Sequence, residues 1–330
     1  MHRRILCRRA DSTPHATGPL SRVACPTPAH EGFRASITQN STADKSLFAV
    51  LSDLVKARLT FLVVLTTLVG FYLGSRGPVD LLLLLHTVLG TALVACGAAA
   101  LNQLTEREHD AKMRRTETRP LPSGRMQPET VLVFGGACST AGLVYLALAV
   151  NLLTALLGAV TLVSYLFIYT PLKRVTWLNT AVGAVPGALP PLMGWSAARN
   201  ELNGEGWTLF AILFFWQIPH FLAIAWMYRD EYARAGFVML PNVDPEGYRT
   251  GSQSISHTLG LLTVSLLPFL FQMTGRLYLT GALILGTIFV FCAVRFSREL
   301  THQRARQLFF ASILYLPLLM GLMVLDKLKH

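Results

Sequence analysis

Charge is what this chain has least of. Asp, Glu, Lys and Arg make up 14% of its 330 residues, against roughly 25% in a soluble domain. Apolar residues reach 52% and mean hydropathy is +0.45, which excludes a surface that faces water all round. The net charge is +11, but the cations lie between long apolar blocks rather than on the faces of a polar chain, so a nucleic-acid binder is excluded too. The five cysteines (Cys7, Cys25, Cys96, Cys138 and Cys292) have no metal-ligand spacing and imply no disulfide framework. Residues 1–46 lack the apolar core of a secretory signal. They hold Arg3, Arg4, Arg8, Arg9, Arg22 and Arg34, and Pro14, Pro19, Pro26 and Pro28 interrupt any long amphipathic helix there. A disordered basic cytoplasmic tail is therefore expected in preference to an organellar transit peptide.

What is present is a series of apolar blocks. After an interfacial start at 47–58, which carries Asp53, Lys56 and Arg58, they fall at about 59–74, 80–101, 128–149, 152–169, 177–197, 207–227, 255–274, 277–294 and 307–325. Each is near the roughly 20 residues that cross a bilayer as a helix. The spacing predicts an all-α polytopic membrane protein, with nine transmembrane helices in a domain spanning 47–330. With the N-terminus cytoplasmic, the inner loops hold fifteen Lys and Arg and the outer segments five, a positive-inside bias. Two inner loops, about 102–127 and 228–254, are long and carry eight of the 18 acids. Chemistry is expected on that face. The two loops follow helices four apart, which hints at an internal duplication.

The strongest local pattern is Asn102-x3-Glu106-x3-Asp110. On a helix these three oxygen-bearing residues share one face, a hard-ligand set suited to Mg²⁺. A solvated helix end would look the same. However, the stripe continues an apolar helix, opens with Asn, and is followed by Arg114, Arg115 and Arg119, cations of the kind a diphosphate needs. Arg119-Pro-Leu-Pro122-Ser-Gly124 reads as an ordered turn. Lys173 and Arg174, after Tyr169-Thr-Pro171-Leu, are either topology signals or a diphosphate clamp. A second acidic cluster, Asp230 and Glu231, lies in Tyr228-Arg229-Asp230-Glu231-Tyr232 and would face the first if the halves pack as repeats. His220, in Gln217-Ile-Pro219-His220, is costly in a membrane helix unless it is used; the alternative is a hydrogen-bonded core histidine. His86 and His257 read as structural or interfacial.

Taken together, Asn102-x3-Glu106-x3-Asp110-x2-Met113-x-Arg115-Thr116, Arg119-Pro-Leu-Pro122-x-Gly124, Tyr169-Thr-Pro-Leu-Lys173-Arg174, Asn179-x6-Pro186-Gly-Ala-x-Pro190-Pro, Trp216-Gln-x-Pro-His220-Phe and Tyr228-Arg-Asp-Glu-Tyr232-x3-Gly236-x2-Met239-Leu-Pro241 resemble the protohaem IX farnesyltransferases (haem O synthases), a group of UbiA-type membrane prenyltransferases. The resemblance covers about 47–325. Many relatives in the wider superfamily carry two aspartates four apart where this chain has Tyr228 and Tyr232; haem O synthases are similar to it there.

The resemblance implies that farnesyl diphosphate binds with its diphosphate among Glu106, Asp110, Mg²⁺ and the cations Arg115, Arg119, Lys173, Arg174 and Arg229. Asn102, Glu106, Asp110 and Asp230 are the expected metal ligands. The farnesyl cation is then captured by a vinyl group of haem B, with Tyr169 and Tyr228 stabilising it through their ring faces and His220 serving as haem-iron ligand or general base. The implied setting is the lipid bilayer of a bacterial plasma membrane, or the mitochondrial inner membrane in a eukaryote, beside a haem A synthase or a haem-copper oxidase assembly. The rival readings are another prenyl acceptor, such as a quinone precursor or a chlorophyll-type tetrapyrrole, and a transporter with a midplane site.

Overall fold

A computed structural model of the chain describes residues 46–328; the expected tail at 1–46 lies outside the described residues but for its last position. The secondary structure is helical apart from one isolated antiparallel bridge, Thr274 to Lys327, among the described residues. A short interfacial α1 (Leu47–Leu54) precedes α2 (Ala57–Gly74), α3 (Leu81–Asp110) and α4 (Pro128–Ala149). Next, α5 (Leu152–Val163) runs through a π-helical stretch (Ser164–Tyr169) into α6 (Thr170–Leu172), and α7 (Asn179–Arg199) and α8 (Gly204–Met227) follow. The second long loop holds α9 (Arg229–Arg234) and α10 (Leu240–Val243). Then α11 (Tyr248–Val264) leads into α12 (Leu267–Leu270), and α13 (Arg276–Glu299) and α14 (His302–Leu325) end the bundle. Side chains cap several helices at their expected starts: Asp80, Asn151 and Asn203 accept from the backbone N–H three residues on, at 2.9, 2.8 and 3.1 Å.

Among the described residues, eight helical segments are long and apolar enough to cross a membrane. The ninth expected span, α7, is present with 21 residues but is not one of those eight. The reason is its position. It packs against α2, α5 and α8 and buries Ala184, Ala188, Leu192, Met193 and Trp195, so it meets neighbouring helices in place of lipid. Its composition is small and proline-rich, with Pro186, Pro190 and Pro191 inside the helix. Gln217 of α8 spans this crossing: its Nε2 donates to Ala184 O at 3.3 Å and to Leu213 O at 3.0 Å. That gives a structural use to one of the two polar residues in the Gln217–His220 motif.

Small residues set the helix spacing, as is usual where lipid leaves no hydrophobic drive between helices. A Cβ on Gly194 of α7 would collide with the Thr67 carbonyl of α2, and one on Gly70 of α2 with the Pro191 carbonyl of α7. Gly97 of α3 lies equally close to Ser139 and Gly135 of α4. Large aromatics fill the rest: Phe71, Trp195, Tyr278, Phe289, Phe296 and Tyr315 are all buried. Leu85, Val133, Leu148, Phe167 and Leu314 remain exposed on the outer surface, as a lipid-facing surface requires.

The backbone contact between α2 and α7 leaves no room for relief. Gly194→Val is expected to destabilise the protein by about 3 kcal/mol, the upper end of overpacking costs, read as a lowered thermal midpoint in detergent. An unchanged midpoint would mean that the two helices can part freely.

Candidate functional site

The stripe on α3 is not solvated. Asn102, Glu106 and Asp110 are 0%, 4% and 1% exposed, and each meets a cation. Lys56 Nζ donates to Asn102 Oδ1 at 2.6 Å, Lys173 Nζ to Glu106 Oε1 at 2.7 Å, and Arg119 Nη1 to Asp110 Oδ2 at 2.6 Å. Removing one partner of a buried pair leaves an uncompensated charge that costs about 3–5 kcal/mol, so these contacts fix the loops that carry them.

Each cation is delivered by local structure. After α3, the Thr116 hydroxyl donates to Asp110 O at 2.8 Å, and tight turns bring Arg119 back over the helix end. The Pro120–Gly124 turn then closes as expected, with Arg125 N and Met126 N both donating to Pro120 O and Gly124 at φ +71°. Lys173 follows the π-helical stretch, whose wider turn places Tyr165 and Tyr169 in a stack at 5.7 Å. Its ammonium lies 4.4 Å from the centre of the Tyr169 ring. Burial opposes the charge on Lys173, but the Tyr169 oxygen and the Glu106 carboxylate raise its pKa. Gly183 makes room for Tyr169, since a Cβ there would enter the ring.

Lys56 is the residue that the motif pattern did not reveal. Gln103, beside Asn102 in the chain, donates to Asp53 O and Leu54 O at 2.8 Å, holding the end of α1. The backbone then turns through Lys56 at φ +49° and sends its side chain to Asn102, 46 positions away. Burial and the neighbouring Arg119 hold the Lys56 pKa down to about 7. The only local signal was a lysine at the foot of a helix that carries no charge beyond Arg58, which also suits an interface. Tyr165, one turn before Tyr169, was equally hidden within an apolar block.

The other expected residues are dispersed. Arg115 lies over the rings of Tyr228 and Tyr232, at 5.5 and 5.6 Å, and donates to the Tyr232 hydroxyl at 3.0 Å. The two long loops therefore do meet, through Arg115 and a small apolar core of Met113, Ala225, Ala235, Phe237 and Met239. They do not meet through acids. Asp230 stands in the first turn of α9 with its side chain 94% exposed, 3.9 Å from Arg229; α9 turns Tyr232 toward Phe237 and leaves Asp230 in solvent. Arg229 covers the Trp226 ring at 5.0 Å. Arg174 is exposed and donates to the Thr105 carbonyl at 3.2 Å. Neither joins the α3 stripe.

His220 lies about two turns back along α8 from Tyr228, its ring stacked between Trp216 and Phe309 with centroids 5.0 Å away on each side. Its Nδ1 is 2.7 Å from Ser312 Oγ, which itself donates to Phe309 O at 2.6 Å. A hydroxyl has one proton, so Ser312 accepts from His220, and the ring proton sits on Nδ1. In a neutral ring that leaves the lone pair at Nε2. His86 and His257 make the structural contacts expected of them, to Tyr145 OH at 2.6 Å and Gln253 O at 2.8 Å.

Among the described residues no group of three or more His, Cys, Asp and Glu side chains is placed to hold a metal ion. Two carboxylates and an amide on one buried face nonetheless fit Mg²⁺, which takes one or two protein carboxylates and fills its shell with water and phosphate oxygens.

The profile of the UbiA prenyltransferase family matches residues 63–314, which takes in the whole stripe, Lys173 and both long loops. The chain belongs to the UbiA prenyltransferase family. Among curated relatives, a protoheme IX farnesyltransferase of Solibacter usitatus is 53% identical over 284 residues, covering 83% of this chain and 97% of that protein. A mitochondrial protoheme IX farnesyltransferase of Arabidopsis thaliana is 37% identical over 279 residues, covering 84% of this chain and 65% of the relative. Among solved structures, a digeranylgeranylglyceryl phosphate synthase matches with TM-score 0.73 at 15% identity, covering 84% of this chain and 98% of the other. A UbiA homolog of Archaeoglobus fulgidus, bound to GPP and Mg²⁺, matches with TM-score 0.58 at 15% identity, covering 83% and 99%. This UbiA prenyltransferase is an enzyme of the membrane, which answers the transporter alternative.

The geometry separates two adjacent cations. Lys173→Ala is expected to raise the KM for a prenyl diphosphate about tenfold or more, and Arg174→Ala less than about threefold, since only the first holds a buried charge-assisted bond. Equal effects in steady-state assays would return the pair to a shared topological role.

Proposed function

We propose that this protein transfers the farnesyl group of farnesyl diphosphate to a vinyl group of haem B, releasing diphosphate and giving haem O. One observation carries the reading: a buried oxygen stripe on α3 with three separate cations, Lys56, Lys173 and Arg119, already bonded to it. An alternation of acidic and basic groups at one spot suits a polyanion that arrives with its own metal ion. The names of the curated relatives support haem B as acceptor over a quinone precursor or another tetrapyrrole.

In this reading Asn102, Glu106 and Asp110 would hold Mg²⁺, which would supply charge to neutralise diphosphate oxygens. Lys56, Lys173 and Arg119 turn from the stripe to the remaining diphosphate oxygens and balance the charge that develops as the allylic C–O bond breaks. Arg115 closes the site from the side of the second long loop. The stacked rings of Tyr165 and Tyr169 offer their faces to the allylic cation, and the surrounding helices keep water from it until the vinyl carbon has attacked. Water then adds to the resulting carbocation and loses a proton, leaving a hydroxyethylfarnesyl side chain. His220, about 12 Å below Tyr228 by the rise of an α-helix, presents Nε2 to an acceptor seated deeper in the membrane. The exposed Asp230 is a candidate only if the second loop closes on substrate. The proposed location is the plasma membrane of a bacterium, or the mitochondrial inner membrane in a eukaryote, with a haem A synthase or haem-copper oxidase assembly receiving the product.

The test is the mass of haem extracted after incubating the protein in vesicles with farnesyl diphosphate, haem B and Mg²⁺. Wild type is expected to form haem O, and Asp110→Asn to lose roughly 100-fold of that turnover while remaining folded, as for a lost metal-ligand interaction. Haem O formation near normal in the variant would remove Asp110 from the site; prenylation of a quinone precursor in place of haem would replace the acceptor.

His220→Ala is expected to leave diphosphate binding within about twofold while haem binding, read from the Soret band, falls by about tenfold or more, the value of one lost ligand contact. Normal haem binding and turnover would make His220 a packed core histidine.

A further inference from the structure

At the end of the bundle opposite the α3 stripe lies a cavity of about 400 Å³. It is walled by the end of α2, the loop that follows it, the last turn of α7, the first turn of α8 and the segment after α14. Tyr72, Trp195 and Phe271 are its aromatic lining, Arg76, Arg199 and Lys327 its cations, and Glu205 its single carboxylate. None of these residues belongs to the diphosphate site.

The donors around this cavity outnumber their acceptors. Arg199 Nη2 reaches Glu205 Oε2 at 3.4 Å, but Arg199 Nε and Nη1 are buried and make no hydrogen bond; Glu201 stands 3.9 Å from Nη1. Trp195 is 1% exposed, and its Nε1 has no acceptor either. Lys327 Nζ donates to Tyr72 O at 2.6 Å and Ser75 O at 2.8 Å, which leaves one of its three protons over. Arg76 stands at the mouth with its side chain 71% exposed, 3.9 Å from the Glu201 carboxylate that also faces Arg199. A buried donor left unmet costs about 1–3 kcal/mol, so the cavity is built for something rich in acceptors.

Topology supplies a second, independent sign. With the N-terminus inside, as the loop charges imply, this is the outward face, from which the positive-inside bias removes cations. Of the five Lys and Arg in the outer segments, three line this one cavity. A chain that places few cations outside and gathers most of them at one concave spot is using them there. The surface leading away from the cavity is apolar and open: Phe271 of the lining is 44% exposed and its chain neighbour Leu270 67%, while Trp207, one turn after the Gly204 that packs against Phe271, is 45% exposed and of the residue type that a membrane interface favours. An acceptor-rich anion with an apolar continuation fits both features.

We propose that this outer cavity binds the phosphate group of an anionic phospholipid of the outer leaflet, with Arg199, Trp195 Nε1 and Lys327 on the phosphate oxygens and Arg76 at the entrance. Glu205 orients the Arg199 guanidinium through Nη2, and Glu201 stays beyond hydrogen-bond distance of Nη1, which leaves Nε and Nη1 their donors for the phosphate. The acyl chains run down past Trp207 and Phe271.

The proposal is tested with the full chain in a neutral detergent, by native mass spectrometry and by the thermal midpoint. Phosphatidylglycerol and phosphatidylcholine of the same acyl chains are compared, with inorganic phosphate alone as a third arm. Phosphatidylglycerol is expected to bind about tenfold more tightly than phosphatidylcholine and to raise the midpoint saturably, because the two phosphates are alike but choline adds a cation beside Arg76 and Lys327. Arg199→Gln should remove that preference. Arg76→Gln, exposed enough to leave folding untouched, should weaken it by about threefold, in the range of a surface ion pair, without changing turnover at the inner face. Equal binding of the two lipids, or the full preference persisting in both variants, overturns the proposal. A saturable shift with inorganic phosphate as large as that with phosphatidylglycerol overturns its lipid half and leaves a free-phosphate site.

Discussion

Glu106 and Asp110 sit on α3 at 4% and 1% exposure, and a carboxylate placed so far from water costs several kcal/mol unless a cation reaches it. The inner end of the bundle is arranged around that requirement. The turn after α3 folds back to deliver Arg119, the π-helical stretch delivers Lys173, and the break between α1 and α2 delivers Lys56. Segments widely separated in sequence are thus pinned to one helix face by charge. Pairs of this kind contribute little net stability, because desolvation offsets much of the attraction. What they provide is a definite arrangement of opposite charges, ready to be redistributed when a polyanion enters.

A rigid frame has to hold that arrangement. It is given by α7, whose prolines and glycines look unsuited to a membrane helix until its neighbours are considered. Backbone touches backbone where Gly194 meets Thr67 and Gly70 meets Pro191, and Gln217 spans the α7–α8 crossing. The same small residues that lower α7's apolarity allow this packing. That is why an apolarity criterion finds eight spans where block spacing in the sequence finds nine.

The legible part of the protein was whatever depends on local periodicity. Apolar blocks near 20 residues gave the helices, and the i, i+4, i+8 spacing put Asn102, Glu106 and Asp110 on one face. The Pro120–Gly124 turn and the meeting of the two long loops were also readable. Contacts across the fold were not. Lys56 and Asn102 are 46 residues apart and joined by a positive φ at Lys56, which no pattern encodes. Arg174 follows Lys173 directly yet turns to the Thr105 backbone, since a one-residue step on a turn reverses direction. Asp230 resembled a ligand because acids cluster there, but only packing decides which face of a six-residue helix is covered, and Tyr232 took it.

The π-helical stretch at Ser164–Tyr169 also bears on how this sequence can drift. Such a stretch holds one more residue per turn than its surroundings. That extra residue is taken up in the wider turn, so losing it would restore an ordinary α-helix and leave the residues on either side in phase. The α-helical residues that follow, Thr170–Leu172, have no such relief. An α-helix rotates by about 100° per residue, so losing one of them would swing Lys173 away from Glu106 although no charged residue had been touched. Within 152–172 individual apolar side chains facing lipid are free to interchange, and a one-residue change of length is absorbed at Ser164–Tyr169. In an alignment of related chains, a gap in this segment should fall there and nowhere nearer to Lys173.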